Sequence, residues 1–308
     1  MHIEQPGAQI QTWAPLRHVA KGRNVAAVPS PPTPQPTAPP PRSTSQGGSR
    51  RRPLAPAGGA VLVTGAASGI GRAVTARLCS DGWSVAGLDH NGVGLRETLA
   101  ELELAGGGAV IALEADVSDP RQVRAAVEAV GRATDGLHAV VNAAGIGGYS
   151  GDVAETTIEH WEHTIAVNLS GVFYVCREAL GLLRSSPASR IVNVSSQYGL
   201  VGGAGSPAYA AAKAGVIGLS RAMAVDHAGE GILVNCICPG PIDTPMLQAS
   251  AGAGDRAARE KTRSAGRCLL GGPGRPEDVA GAVAFLLGPD SLYMTGAVIA
   301  VDGGWTAA

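Results

Sequence analysis

Short, unbroken runs of Val, Ile, Leu and Ala recur along the chain, and most are followed by a stretch with helical spacing. AVLVT at Ala60–Thr64, SVAGLD at Ser84–Asp89, LHAVVN at 137–142, RIVNVS at 190–195 and ILVNCIC at 232–238 are such runs. A strand with one wet face alternates apolar and polar residues, whereas one that is apolar throughout is covered on both faces, as in a parallel sheet. Further strands are expected at 109–114 and 297–301, with helices at about Gly69–Ser80, 93–105, 120–134, 158–183, 209–227 and 277–287. Right-handed crossovers then give a doubly wound parallel sheet inside a three-layer α/β/α domain. Such sheets take ligands beyond the carboxyl ends of their strands. Residues 64–71, Asp89, residues 142–145, Ser195–Ser196 and Pro239–Gly240 all follow strand ends.

Composition divides the chain. Residues 1–57 hold 12 of its 21 prolines and seven basic residues against one acidic residue, a net of +6. Eight prolines crowd residues 29–41, which favours extended polyproline II and leaves too little apolar surface to offset chain entropy. The expectation is a disordered tail over 1–57 and one domain over 58–308, a length suited to a single α/β unit. The tail is Arg-bearing and acid-poor, but its prolines break the amphipathic helix that a transit peptide needs. A total charge of −1 excludes general phosphate-backbone binding, so no nucleic-acid partner is expected. No run approaches the ~18 consecutive apolar residues that span a bilayer, so no membrane partner is expected either. Five cysteines without C-x-x-C, Cys236 and Cys238 among them on one strand face, read as buried free thiols in a reducing, cytoplasmic setting. His160 and His163 lack an acidic pair to complete a metal site, so they read as surface or interface residues and no metal is expected.

After the first strand comes Thr64-Gly65-Ala66-Ala67-Ser68-Gly69-Ile70-Gly71. Gly65, Gly69 and Gly71 suit a turn where backbone approaches a pyrophosphate, and the following helix offers its N-terminal N–H groups. A glycine triplet is weak on its own; its place between strand and helix gives it meaning. Asp89 ends the second strand 18 residues beyond Gly71, where a carboxylate can accept both hydroxyls of an adenine ribose and repel a 2′-phosphate. Neither Ser68 nor His90 supplies a dependable compensating cation, so NAD is favoured over NADP. Tyr209 and Lys213, at i and i+4 of a helix, share a face. Ser196 stands 13 residues before Tyr209, and Asn168 interrupts an apolar helical segment where a buried amide needs a reason.

These residues resemble the short-chain dehydrogenase/reductase family over residues 58–308, and in particular its 3-oxoacyl-carrier-protein reductase-like alcohol dehydrogenases. The resemblance implies a Rossmann-type fold and a nicotinamide cofactor. TGAASGIG matches the family's cofactor loop, so contacts are implied at Gly65, Ser68, Gly69, Ile70 and Gly71. NAAG at 142–145 resembles the NNAG element, with Ala143 in place of the second Asn, and implies Asn142, Ala143 and Gly145. Asp116-Val117 resembles the adenine-contacting pair. Pro239-Gly240, with Ile242 and Thr244 beyond, resembles the nicotinamide-side turn, and residues 301–304 the C-terminal element. Asn168, Ser196, Tyr209 and Lys213 fall on the catalytic tetrad. It implies that Tyr209 is the acid/base and that Lys213 holds the nicotinamide ribose. Ser196 would orient the substrate oxygen, and Asn168 would hold a water. A free phenol titrates near ~10, and an ammonium one helical turn away, together with the positive nicotinamide of the oxidised cofactor, is expected to lower that value.

The implied activity is hydride transfer between NAD(H) and a secondary alcohol or ketone. The alternatives are a 3-oxoacyl-carrier-protein reductase and a catalytically silent, dinucleotide-binding redox sensor. Substrate contacts are expected from residues 147–151, Gln197, Tyr198, Gly202, Pro241 and the Ala/Gly-rich segment 246–272, read as a lid. Apolar residues on the helices at 158–183 and 209–227 suit a two-fold interface, so a homo-oligomer, a tetramer or dimer, is expected. A chain beginning at Ala57 should keep its thermal unfolding midpoint and its affinity for NADH, because the tail carries no periodic apolar face with which to dock. Loss of either in calorimetry or nucleotide titration would count against a dispensable tail.

Overall fold

The strands form where the unbroken apolar runs place them: β1 Ala60–Thr64, β2 Ser84–Asp89, β3 Val110–Glu114, β4 Ala139–Asn142, β5 Arg190–Val194, β6 Leu233–Pro239 and β7 Val298–Val301. This computed structural model describes residues 59–104, 110–148, 150–186, 188–251 and 266–307. The tail expected over 1–57 therefore lies outside the described residues. The strands make one seven-stranded sheet in the order β3-β2-β1-β4-β5-β6-β7, and every neighbouring pair is parallel. β1 and β4 are buried along their whole length, as unbroken apolar runs require. The outer strands β3 and β7 stay partly open.

Alternate residues of each strand feed two different cores. Leu62, Val140, Ile191 and Val234 face one layer; Val61, Val63, Val141, Val192 and Ile237 face the other. The first layer is built by α3 (Pro120–Ala133), α5 (Gly171–Arg184) and α7 (Pro207–His227), the second by α1 (Gly69–Ser80), α2 (Gly92–Leu104) and α9 (Pro276–Leu287). Local chemistry sets the helix starts. Pro120 occupies the first turn of α3 behind Asp119, whose side chain accepts from Arg121 N. In α9, Pro276 follows Arg275, whose N–H donates to Asp278 at 2.7 Å. Both arrangements satisfy backbone donors that a helix start leaves open.

The expected single helix over 158–183 is instead broken. α4 (Ile158–Ile165) passes into a π-helical segment, Ala166–Ser170, before α5 resumes at Gly171. Asn168 lies in that segment, fully buried, and both ends of its amide are bound by Ile146, with N–H donating to Oδ1 at 3.1 Å and Nδ2 donating to the carbonyl at 3.0 Å. The wide turn seats a polar side chain that a regular helix would aim elsewhere, a common use of π-bulges at functional sites. The stretch Ile158–Arg184 also contains an 18-residue window of mean hydropathy 1.3, long and apolar enough to cross a membrane by composition; counting unbroken apolar runs missed this. Here Val172, Val175, Ala179 and Leu183 are buried in the core.

Two short helices escaped the pattern reading. α6 (Gln197–Leu200) begins at Ser196, whose side chain accepts from Tyr198 N, and α8 (Pro245–Ala251) lies within the expected lid. Residues 252–265 of that lid fall outside the described residues.

A polar chain crosses the α5/α7 core. Asn142 and Asn193 are register partners on β4 and β5, and Asn142 Nδ2 donates to Asn193 Oδ1 at 2.8 Å. Asn193 Nδ2 donates to Ser220 Oγ at 2.9 Å, which donates to Val216 O at 2.7 Å. Asn193→Leu would strand these buried groups, each costing about 1–3 kcal/mol when unsatisfied. Chemical denaturation should show a midpoint lowered accordingly, with the sheet's circular dichroism retained.

Candidate active site

The sheet changes winding direction between β1 and β4, and the loops leaving these strands touch backbone to backbone. Gly65 has φ +71°, and a Cβ on it would lie 2.8 Å from Ala144 Cα. A Cβ on Gly71 would lie 2.0 Å from Gly65 O, so no other residue fits the first turn of α1. Thr64 Oγ1 then clamps the two loops, accepting from Ala143 N at 3.2 Å and Ala144 N at 3.1 Å. The N-terminus of α1 is left without a side-chain cap from Ser68, its N–H groups available to an anion.

In front of it opens a cavity of about 290 Å³ lined by Gly65, Ser68, Gly69, Ile70, Gly71, Asp89, Asp116, Val117, Ala143, Gly145 and Thr244. Eleven residues expected from scattered points in the sequence thus meet in one groove. Asp89 is 7% exposed and accepts from Ala67 N at 3.0 Å and Asn91 N at 2.9 Å. It therefore caps its own turn and still offers lone pairs to the groove. His163 lines the groove as well, and a Cβ on Gly148 would lie 2.8 Å from His160 Cε1, so both histidines stand at the cleft. Asn142 does not join it. Its side chain turns into the core, where Nδ2 meets Asn193 and Cys176 Sγ and Oδ1 has no hydrogen-bond partner.

A second cavity of about 210 Å³ continues from the first, sharing Ile70, Ala143, Gly145 and Thr244 and adding Ser196, Tyr209, Lys213, Pro239, Gly240 and Ile242. α7 carries Tyr209 and Lys213 one turn apart, with Nζ 5.7 Å from the phenol ring centre. Nζ donates to Val194 O at 3.0 Å, and Ser195 Oγ donates to Lys213 O at 2.7 Å. Both contacts bind α7 to the end of β5, where Ser196 lines the same cavity as Tyr209. Asn168 reaches the same place from the π segment. A Cβ on Gly145 would sit 2.7 Å from Asn168 Oδ1 and 3.5 Å from Lys213 Nζ, so the space beside both groups exists because residue 145 has no side chain. Of the expected substrate residues, Gly147, Gly148, Gln197, Tyr198, Pro241, Met246 and Leu247 line this cavity, whereas Ser150, Gly151 and Gly202 do not.

Burial governs the electrostatics. It holds the Tyr209 phenol above its ordinary value, opposed by the Ser196 hydroxyl, and pulls Lys213 down to about 8. The expected lowering of Tyr209 draws on the positive nicotinamide as well as on Lys213; among the protein's own groups, desolvation of the phenol is the largest influence, and the lysine itself resists being charged. A lysine of folded pKa about 8 against about 10.4 unfolded destabilises the fold fully below pH 8, and the penalty fades as pH rises through that window. Lys213→Met should therefore stabilise the ligand-free protein at pH 7, by on the order of 2 kcal/mol after loss of the Val194 hydrogen bond. Thermal unfolding across pH should show this gain shrinking above pH 8; a lower midpoint at pH 7 would contradict it.

A family model described as enoyl-(acyl carrier protein) reductase matches residues 65–306. The chain belongs to the short-chain dehydrogenase/reductase family. It is 37% identical to cyclohexanol dehydrogenase of an Acinetobacter species over 80% of this chain and 94% of that one. It is 40% identical to (3R)-3-hydroxyacyl-CoA dehydrogenase of Canis lupus familiaris over 79% and 94%. The crystal structure of levodione reductase superposes with a TM-score of 0.77 at 33% identity, covering 81% of this chain and 98% of that one. This short-chain dehydrogenase/reductase is accordingly an oxidoreductase of CH–OH groups. The family's nicotinamide cofactor supplies a hydride acceptor or donor when bound. The cradle fits such a group: Gly65, Gly69 and Gly71 leave backbone exposed for a pyrophosphate, and Asp89 and Asp116 lie further along the same groove.

Sequence reasoning missed three supports of this site. Thr64 heads the glycine loop, yet its role depends on the β4 loop being adjacent. Ser195 and the Val194 carbonyl look like ordinary strand-end residues until α7 packs over them.

Proposed function

We propose that the protein transfers hydride between NAD(H) and a compact secondary alcohol or its ketone, with Tyr209 as general acid/base. The observation that carries this is the meeting of Tyr209, Ser196 and Lys213 at the floor of one cavity continuous with the dinucleotide groove. Ser196 would hold the substrate oxygen and stabilise charge that develops on it. Lys213 would hold the nicotinamide ribose and, when charged, favour the Tyr209 phenolate. Asn168 would hold a water in the space beside Gly145. Asp89 favours NAD, since its carboxylate suits ribose hydroxyls and repels a 2′-phosphate.

The pocket's size and its lining by Val194, Pro241, Met246 and Leu247 suit a small, largely aliphatic substrate. The relatives named for cyclohexanol, levodione and cis-4-hydroxycyclohexanecarboxylate support ring-sized alcohols and ketones over long acyl carriers. Exposed Ile158, Trp161 and Phe173 on α4 and α5 support a homo-oligomer. Five free, buried cysteines support a cytoplasmic setting, with residues 1–57 as an appended tail.

Tyr209→Phe should lower turnover about 10²–10⁴-fold while NADH still binds, as read by steady-state rates and nucleotide fluorescence. Because burial holds the phenol high, its deprotonated fraction grows with pH, so wild-type alcohol oxidation should climb with pH while carbonyl reduction should not. Near-native turnover in the Phe variant would remove Tyr209 from the role. Asp89→Ala should weaken NAD binding roughly ten- to a hundredfold, the loss of a charged hydrogen-bond acceptor, and shift preference toward NADP. An unchanged cofactor ratio would reduce Asp89 to a cap for its own turn.

A further inference from the structure

The C-terminal turn reaches the substrate cavity through two aromatic rings. Asp302 folds residues 302–306 around its carboxylate, accepting from Gly304 N at 3.0 Å, Thr306 N at 2.9 Å and Thr306 Oγ1 at 2.6 Å. This turn drives Trp305 inward to 3% exposure. The Trp305 ring meets Tyr198 edge-on, centres 5.9 Å apart, and Tyr198 meets Tyr209 edge-on at 6.5 Å. On its outer side the indole lies under the Arg267 guanidinium, 4.0 Å from the ring centre. The segment bearing Arg267 is tied to the same turn by Leu270 N donating to Gly303 O at 3.2 Å.

Tyr198 is the side chain through which this assembly touches the cavity. Its backbone is fixed by the Ser196 hydroxyl at 3.2 Å, so only the ring can swing. The ring occupies the room that Gly203 leaves, since a Cβ there would lie 2.5 Å from it, and Trp305 stands against it on another side. Resting on the proposed secondary-alcohol activity, we infer that Trp305 is a specificity-determining residue: it props Tyr198 against Tyr209 and so limits the substrate to about one ring. Trp305 lines neither cavity, and it acts through the position of Tyr198.

The test compares wild type, Trp305→Ala, Trp305→Phe and Gly203→Ala for kcat/KM with NAD on cyclohexanol and on the bicyclic alcohol 2-decalol, with NADH affinity measured in parallel. Hydrophobic pockets discriminate small size differences by about 10–200-fold. Trp305→Ala should therefore raise the decalol-to-cyclohexanol ratio at least about tenfold, mainly through KM for decalol, with NADH affinity unchanged. Trp305→Phe should restore the wild-type ratio. An unchanged ratio, or an equal loss on both alcohols, overturns the inference, because a merely structural tryptophan would affect both alike. If Trp305→Ala does not fold, Gly203→Ala decides. It displaces the same ring from the other side, and a ratio unmoved there overturns the inference. If wild type oxidises neither alcohol, the proposed substrate class falls by itself. A crystal structure of whichever variant folds then settles the ring: Tyr198 displaced supports the prop, and Tyr198 in its wild-type place overturns it.

Discussion

The contact between the loops that leave β1 and β4 governs the rest of the molecule. At that point the backbone of the glycine loop lies against Ala143 and Ala144, and Gly71 packs on Gly65 O at a separation no Cβ permits. The close approach has two consequences. It aims the N-terminus of α1 into the cleft, and it carries Ala143 and Gly145 to the junction of the two cavities. The seven strands and six sheet-covering helices can be viewed as the frame that brings these loops together, since such a sheet opens a crevice only where its winding reverses.

Around that crevice the protein buries groups that water would otherwise stabilise. Lys213 is 4% exposed, yet it is held by the Val194 carbonyl and by the anchoring of its own carbonyl to Ser195. Tyr209 is raised and Lys213 lowered by the same desolvation. A phenol and an amine that both resist charge are poised for a partner that supplies charge and hydrogen bonds, and a dinucleotide is such a partner.

Much of this was legible from residue order. Unbroken apolar runs gave the strands to within about two residues at either end, because burial on both faces is written directly into composition. The cleft residues were legible through their position after strand ends. Asn142 shows where that inference stops: it sits at a strand end like Ala143, but strand alternation turns its side chain into the α5/α7 layer. Asn168 shows the converse. Its oddness in an apolar helix was visible, whereas the π segment that seats it depends on Ile146, 22 residues away.

The sheet, its parallel sense, the glycine loop and the residue types of the site can be read along the chain, since each is a local pattern or a requirement of burial. How those residues act on one another follows from packing in three dimensions. The direction of the Tyr209 and Lys213 shifts depends on how completely neighbouring elements exclude water. The clamp by Thr64, the anchoring of α7 by Ser195 and the reach of Trp305 to Tyr198 join residues 79, 18 and 107 positions apart. Such contacts are fixed by packing, and no local pattern in the chain encodes them.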